Sequence, residues 1–148
     1  FGHLTSGLTK NGISCYGIDI SKKAIEKAKL IYPKCKFYNS DFLDFNLFNK
    51  EKTNVFLFAE ITWYILPSLK KFLKNLVDYK AKNNFPIYLI HILTTYPPGV
   101  QKYGIEYFTD LDGILKFFNL DYLETGSINY NLNGSLDSQG TYFISRIL

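Results

Sequence analysis

The chain alternates segments of helical periodicity with short apolar runs, and this alternation constrains its fold more than any other feature. The apolar runs lie at residues 13–20, 35–38, 54–59 and 86–93. Runs that are apolar throughout are typical of interior parallel strands, because such strands are buried on both faces. The alternation therefore predicts an α/β fold, with a Rossmann-like, mostly parallel sheet and helices on both of its faces.

Helix start and stop signals separate these runs. A short helix over 3–11 is expected to end at Gly12, since glycine suits the position just after a helix. Ser21 is a suitable N-cap for the next helix. Pro67 is expected to open the most regular helix of the chain. Thr109, followed three residues later by an acidic residue, resembles a capping box for a further helix.

The last part of the chain has a different pattern. Residues 122–132 and 141–148 are β-rich, and 133–140 lie between them, which predicts an antiparallel hairpin with a wide loop. No linker or repeat divides the 148 residues, so 1–148 is expected to form a single domain.

The composition limits the classes of binding partner that are expected. The formal charge is +4, but Arg146 is the only arginine, and guanine and phosphate are commonly recognised by arginine forks. We therefore expect no sequence-specific binding of nucleic acid. No apolar run is long enough to span a bilayer, so no membrane partner is expected either. Cys15 and Cys35 lack metal-ligand spacing, which favours reduced thiols, a cytoplasmic protein and no metal.

The segment that starts at Gly2 and runs through 11–21 carries a resemblance to a known family. Gly2-His3-Leu4-Thr5, followed by a strand that ends in Asp19, resembles class I S-adenosylmethionine-dependent methyltransferases just after their first strand. In that family the strand ends in a Gly-x-Gly-x-Gly loop, and Gly2 matches its last glycine. The resemblance implies that the first central strand and two glycines precede Phe1, so that the domain is incomplete at its N-terminus. It also implies that the strand ending at Leu148 lies antiparallel beside the strand ending at Leu93.

Asp19 is the first candidate for cofactor binding, together with Ile20 beside it. A carboxylate at the carboxyl end of a strand is able to accept both ribose hydroxyls of a nucleotide. The resemblance implies the same role. The alternative is that Asp19 is a favourable charge at the start of the helix that Ser21 caps.

Asp41 and Phe42 follow the next strand. In the family, the acid at this position accepts from the adenine amino group, and the next residue's backbone amide meets a ring nitrogen. One carboxylate and one amide together match the donor and acceptor on that edge of adenine. The alternative is a plain turn aspartate, and Asp44 nearby is a competing acid.

The segment 59–64 follows the third apolar run. Its pattern is similar to that of small-molecule methyltransferases such as the nodulation N-methyltransferases. The resemblance implies that Glu60 binds the cofactor's ammonium or a substrate amine. Trp63 would shield the sulfonium through its π face, with Tyr64 beside it on the acceptor side. The alternative for Trp63 and Tyr64 is packing of a helix against the sheet.

Three further residues are candidates for the acceptor side. His91 is expected at the end of the fourth strand, where a neutral imidazole would be able to remove a proton from the acceptor. A lone histidine in an apolar run is also typical of a core residue. Tyr96 and Tyr103 lie in a long aromatic connection that is expected to form the wall of an acceptor pocket, or to pack on its own aromatic rings.

Together these residues predict methyl transfer from S-adenosylmethionine to a small-molecule acceptor with a nitrogen or oxygen nucleophile. Asp19, Asp41 and Glu60 are expected to line one cleft at the carboxyl edge of the sheet. Two alternatives stay open. One is a nicotinamide-dependent oxidoreductase with the same glycine–acid geometry, and the other is a non-catalytic remnant that binds nucleotides.

Overall fold

The structure, a computed structural model, describes residues 1–97, 99–132 and 135–148. The chain divides into two compact units, Phe1–Asn46 and Leu47–Leu148. Each unit has its own sheet: β1 and β2 pair in the first, and the strand order in the second is β3-β4-β6-β5. The mixed α/β character predicted from the sequence is confirmed. The single-domain boundary of 1–148 stays a prediction.

The first unit contains two helices and two parallel strands within the described residues. These elements are α1 (His3–Lys10), β1 (Tyr16–Asp19), α2 (Lys22–Ile31) and β2 (Lys36–Asn39). The register places Tyr16 opposite Lys36 and Asp19 opposite Asn39. Both strands therefore end at the same edge of this small sheet, which brings the residues after each strand close together.

Ser21 begins α2 as predicted. Its hydroxyl accepts a hydrogen bond from the backbone N–H of Ala24 at 3.2 Å. Ile25 and Ala28 on the inner face of α2 are buried with Phe37 of β2, and these three form the core of the unit. The cap and the apolar stripe together explain why α2 forms at this point.

Glycine is required where α1 approaches β1. A Cβ at Gly17 would lie 2.8 Å from Thr5 Oγ1 and 2.9 Å from Phe37 Cδ1, closer than van der Waals contact allows. Gly2, at the start of α1, has a φ of 72°, a left-handed conformation that glycine adopts without strain. Gly17 thus lets α1 lie directly against β1, and Gly2 allows the left-handed turn from which α1 begins.

The second unit carries the larger sheet. Its elements are β3 (Val55–Ala59), α4 (Thr62–Ala81), β4 (Ile87–Thr95), α5 (Leu111–Phe118), β5 (Asp121–Leu132) and β6 (Ser135–Ile147). The short helix α3 (Phe45–Lys50) precedes them and begins in the last two residues of the first unit. β3 and β4 are parallel, whereas β6 is antiparallel to both β4 and β5. The predicted position of the last strand beside β4 is confirmed.

The prediction of a mostly parallel sheet is wrong for this unit. The two antiparallel ladders are longer than the parallel one, because β5 and β6 are the longest strands of the described chain. The prediction of a wide hairpin loop is also wrong, since the ladder between β5 and β6 continues to the pair Leu132↔Ser135. Pairing with β5 extends through 135–140 despite the polar character of these residues. Asn133 and Gly134 themselves lie outside the described residues.

Two predicted helix starts are also corrected. α4 begins at Thr62, so Pro67 lies inside the helix instead of opening it. Burial of Thr62 and Leu66 favours the extra turn despite the backbone hydrogen bond that a proline cannot donate. The N-cap of α5 is Asp110 and not Thr109, because the Asp110 carboxylate accepts from the N–H of Gly113 at 2.8 Å.

The core of the second unit lies on one face of its sheet. Alternate residues of β4 are buried, from Ile87 through Leu93. Phe72 of α4 packs against Phe58 of β3, with ring centroids 4.9 Å apart. Phe118 of α5 contacts the same face through neighbouring aromatic rings. This packing fixes the strand ends that carry the candidate residues.

Two further observations concern the cysteine thiols and the apolar character of the helices. Cys15 and Cys35 both have free thiols. Among the helices of the described residues, none combines the length and the apolar character needed to cross a bilayer.

The close approach at Gly17 is testable by adding one methyl group. Gly17→Ala is expected to lower the free energy of unfolding by about 1–3 kcal/mol, because the β-carbon overpacks against Thr5 and Phe37. Gly7→Ala is the matched control: Gly7 is exposed in α1, and no heavy atom lies near its added carbon. That variant should gain about 0.5–1 kcal/mol from helix propensity. Equal effects of both substitutions in urea unfolding would contradict the packing described.

Candidate functional site

Asp19 ends β1 with an exposed side chain. Its Oδ1 accepts a hydrogen bond from the backbone N–H of Ser21 at 2.8 Å, so the helix-start alternative describes part of its role. Its Oδ2 has no hydrogen-bond partner among the described residues. The structural role and the ribose role therefore use different oxygen atoms and are compatible.

Asn39 fixes the backbone around Asp19. Its side-chain amide donates to the carbonyl oxygens of Asp19 at 3.0 Å and Ile20 at 2.8 Å. The N–H of Ser40 donates to the same Asp19 carbonyl at 3.2 Å. Sequence reasoning missed Asn39, the last residue of β2, because its acceptors lie at the end of the neighbouring strand.

Asp41 starts a turn just after β2. Its Oδ1 accepts from the N–H of Leu43 at 2.7 Å, and its carbonyl accepts from the N–H of Asp44. The turn-aspartate alternative therefore describes its local contacts. Asp44 is held separately, because its Oδ2 accepts from the Ser40 hydroxyl at 2.7 Å. Phe42 is partly buried.

A small pocket lies within the first unit. Gly2, Gly17 and Asp19 line it together with the ring of Phe37, and its volume is about 100 Å³. Typical small-molecule sites are about 300–1,000 Å³, so this pocket is large enough for only part of a nucleoside. Two of the predicted cofactor residues, Gly2 and Asp19, are thus brought together around one concave surface.

Glu60 follows β3 in an unusual backbone conformation. Its φ is 56°, in the left-handed region that non-glycine residues rarely adopt. Its carboxylate accepts two hydrogen bonds from Thr94, from the backbone N–H at 3.1 Å and from the hydroxyl at 2.8 Å. The side chain remains exposed. Strained backbone of this kind often occurs at functional sites, and Thr94 was missed from the sequence.

Trp63 is held by contacts within the second unit. Its indole N–H donates to the carbonyl of Thr94 at 3.0 Å, and its ring lies 5.3 Å from that of Phe108. A Cβ at Gly104 would lie 2.7 Å from Trp63 Cζ3, so the loop backbone passes directly over the ring. These contacts match the packing alternative for Trp63. Tyr64, in contrast, is 79% exposed.

Gln101 orders the aromatic connection between β4 and α5. Its buried amide accepts from the N–H of Tyr96 at 3.2 Å and donates to the carbonyl of Phe108 at 3.0 Å. Tyr96 and Tyr103 of the same connection remain exposed. Of the predicted segment, Pro98 lies outside the described residues. Gln101 was missed because its partners are backbone atoms, which no motif reveals.

His91 lies in the middle of β4, since the strand continues to Thr95 instead of ending at Leu93. It is fully buried, its Nε2 forms a hydrogen bond with Thr62 Oγ1 at 2.8 Å, and its ring stacks on Phe143 at 4.8 Å. Burial lowers the pKa of His91 to about 3. The expectation of a rim histidine is wrong, and this location argues against a role as general base.

The predicted site residues fall into two groups. Gly2, Asp19 and Asp41 belong to the first unit, with Ile20 and Phe42, whereas Glu60, Trp63 and the three tyrosines belong to the second. A shared cleft for Asp19, Asp41 and Glu60 stays a prediction. Within the described ranges, no group of three or more metal-ligating side chains lies close enough to hold a metal ion.

Comparison with known proteins supports the fold. No protein-family model matches the chain, and no curated protein matches it. Its structure is similar to the crystal structure of the N-methyltransferase NodS from Bradyrhizobium japonicum WM9, with a TM-score of 0.59 and 14% sequence identity. The match covers 97% of this chain and 80% of that one. The chain therefore has a methyltransferase-like α/β fold.

Buried neutral His91 predicts a loss of stability in acid. The unfolded chain binds a proton below about pH 6.5, but folded His91 does so only near pH 3. The free energy of unfolding should therefore fall by up to about 1.4 kcal/mol per pH unit between these values, as the pH decreases. In His91→Gln this contribution to the slope should disappear. Urea unfolding between pH 4 and 7 measures it.

His3→Gln is the control for this measurement, because His3 is exposed and the variant keeps His91. Its pH slope should retain the contribution of buried His91. The slope is the relevant quantity, since His91→Gln also alters packing against Phe143. An unchanged slope in His91→Gln would contradict the account of His91 as a buried neutral residue.

Proposed function

We propose that the chain transfers a methyl group from S-adenosylmethionine to a small-molecule acceptor with a nitrogen or oxygen nucleophile. One observation carries the proposal: Asp19 ends a parallel strand beside Gly2 at the start of α1, in a methyltransferase-like fold, and one of its carboxylate oxygens has no hydrogen-bond partner among the residues that the structure describes. Ligands of open α/β sheets bind at the carboxyl ends of strands, where Asp19 lies.

The residues of the first unit fit the nucleoside part of this cofactor. Asp19 Oδ2 is an available acceptor for a ribose hydroxyl, while Oδ1 and Asn39 keep the strand end in place. Gly2 lines the same pocket, and a Cβ there would clash with the Phe37 ring at 2.7 Å, so the backbone at the start of α1 is able to lie close to that ring. Asp41 and the backbone of Phe42 are proposed to bind the adenine edge.

Glu60 is proposed to bind the cofactor's ammonium group. Its two hydrogen bonds from Thr94 leave acceptor sites on both oxygens, because an ionised carboxylate has about four. An exposed carboxylate that is already oriented loses less side-chain entropy when it binds a cation. Glu60 thus combines a structural contact with a binding role.

The cofactor supplies a methyl group already activated for displacement, so few catalytic side chains are required. The protein's task is to hold the acceptor in line and to exclude water. The exposed rings of Tyr64, Tyr96 and Tyr103 are proposed to form the wall of the acceptor site. Since His91 is buried, the proposal assigns it no proton transfer.

Replacing Asp19 tests the proposal directly. Asp19→Asn retains an oxygen for the Ser21 N–H but converts the other position into a donor. Affinity for S-adenosylhomocysteine should fall by about 1–3 kcal/mol, the usual loss when a buried partner is left unpaired. Isothermal titration calorimetry measures this change.

Glu26→Gln is the matched control, because it removes one exposed carboxylate from α2 in the same unit. Its affinity for S-adenosylhomocysteine should be unchanged. Titration with NAD in parallel separates the oxidoreductase alternative. Preferential binding of NAD would contradict methyl transfer, and failure to bind either ligand would contradict methyl transfer and both nucleotide-binding alternatives.

A further inference from the structure

The β3–β4 ladder ends at Glu60 in an unusual way. The N–H of Glu60 donates to the carbonyl of Ile92 at 2.9 Å, as in a regular parallel ladder. The next bond of such a ladder would run from the N–H of Thr94 to the backbone carbonyl of Glu60. At Glu60 the chain turns with a φ of 56°, and the carboxylate accepts from that N–H instead. The Glu60 side chain thus satisfies a backbone donor of β4.

Thr94 adds a second donor to the same carboxylate. Its hydroxyl binds Oε1 at 2.8 Å while its N–H binds Oε2 at 3.1 Å, so both oxygens of Glu60 are held. Its carbonyl accepts from the Trp63 indole at 3.0 Å. The three polar groups of Thr94 therefore orient the two second-unit residues that the resemblance places near the cofactor. The N–H contact belongs to the backbone, and the hydroxyl contact is specific to the side chain.

We propose that Thr94 is a positioning residue, and that its hydroxyl fixes the direction in which the Glu60 carboxylate meets the ammonium group of the cofactor. The inference rests on the proposed role of Glu60. A hydrogen bond to a charged acceptor is stronger than one between neutral groups, so it restrains the carboxylate effectively. Without the hydroxyl, the N–H alone allows the carboxylate to turn about its last bond.

The chain offers a close control in the next residue. Thr95 is buried, and its hydroxyl donates to the carbonyl of Gln139 at 3.3 Å, away from Glu60. Successive residues of a strand point to opposite faces, so the two threonines share a backbone environment but face different surroundings. Thr95→Val removes the same group as Thr94→Val without altering the Glu60 contact.

The experiment compares Thr94→Val, Thr94→Ser, Glu60→Gln and Thr95→Val by calorimetry with two ligands. S-adenosylhomocysteine carries the ammonium group, whereas 5′-methylthioadenosine has the nucleoside and thioether without the amino acid. For Thr94→Val we expect S-adenosylhomocysteine to bind about 5- to 10-fold more weakly, less than the loss of a direct hydrogen bond to a charged group, because the Thr94 hydroxyl acts through Glu60. Binding of 5′-methylthioadenosine should be unchanged. Thr94→Ser should restore the affinity, and Thr95→Val should leave it intact.

Combining Glu60→Gln with Thr94→Val supplies a readout beyond any general structural effect. If Thr94 acts through Glu60, the double variant should bind S-adenosylhomocysteine no more weakly than Glu60→Gln alone. Additive losses, or equal losses for both ligands, would overturn the inference. Wild-type affinity in Thr94→Val with weakened binding in Glu60→Gln would overturn it and leave the proposed function intact. If the unsubstituted protein binds neither ligand, the proposed function and the inference both fail.

Discussion

The second unit depends on the unequal lengths of β3 and β4. The parallel ladder ends at the pair Ala59↔Ile92, but β4 continues to Thr95 because β6 still pairs with it on the other side. Backbone donors on the exposed side of this extension need acceptors other than a strand. Glu60 meets that requirement for Thr94 with its side chain. The Glu60 carboxylate thus takes the place of a strand carbonyl as the acceptor for a backbone N–H of β4.

The same strand connects the core to its rim. His91 faces the core, where Thr62 and Phe143 surround it, and Thr94 faces the opposite side, where Glu60 lies. The alternation of side chains along a strand makes this division unavoidable. An imidazole in the core is tolerated because it is neutral and has one hydrogen bond. In the proposed function, ligand binding at this strand end therefore involves Glu60 beside Thr94 and not His91.

Much of the fold was predictable from local signals, but most of the polar contacts were not. Ser21 as a cap depends on adjacent residues, so it was predicted correctly, and the position of the last strand beside β4 was predicted from the family resemblance. Pro67 misled the helix start because burial of residues before it outweighed a local rule. Asn39, Thr94 and Gln101 were missed because they bind atoms whose proximity depends on register and loop path. Short-range signals contain no information about such pairings.

The three candidate acids share one structural feature, and this feature determines which substitutions are able to test their proposed binding roles. Asp19, Asp41 and Glu60 each accept a backbone N–H, from Ser21, Leu43 and Thr94 respectively. Each carboxylate is thereby oriented before any ligand arrives, and acceptor sites remain because an ionised carboxylate has about four. Truncation to alanine would remove the backbone contact together with any ligand contact and would not separate the two. Amide substitutions retain one oxygen, so they distinguish an acid that only ends a strand from one that also binds a nucleotide.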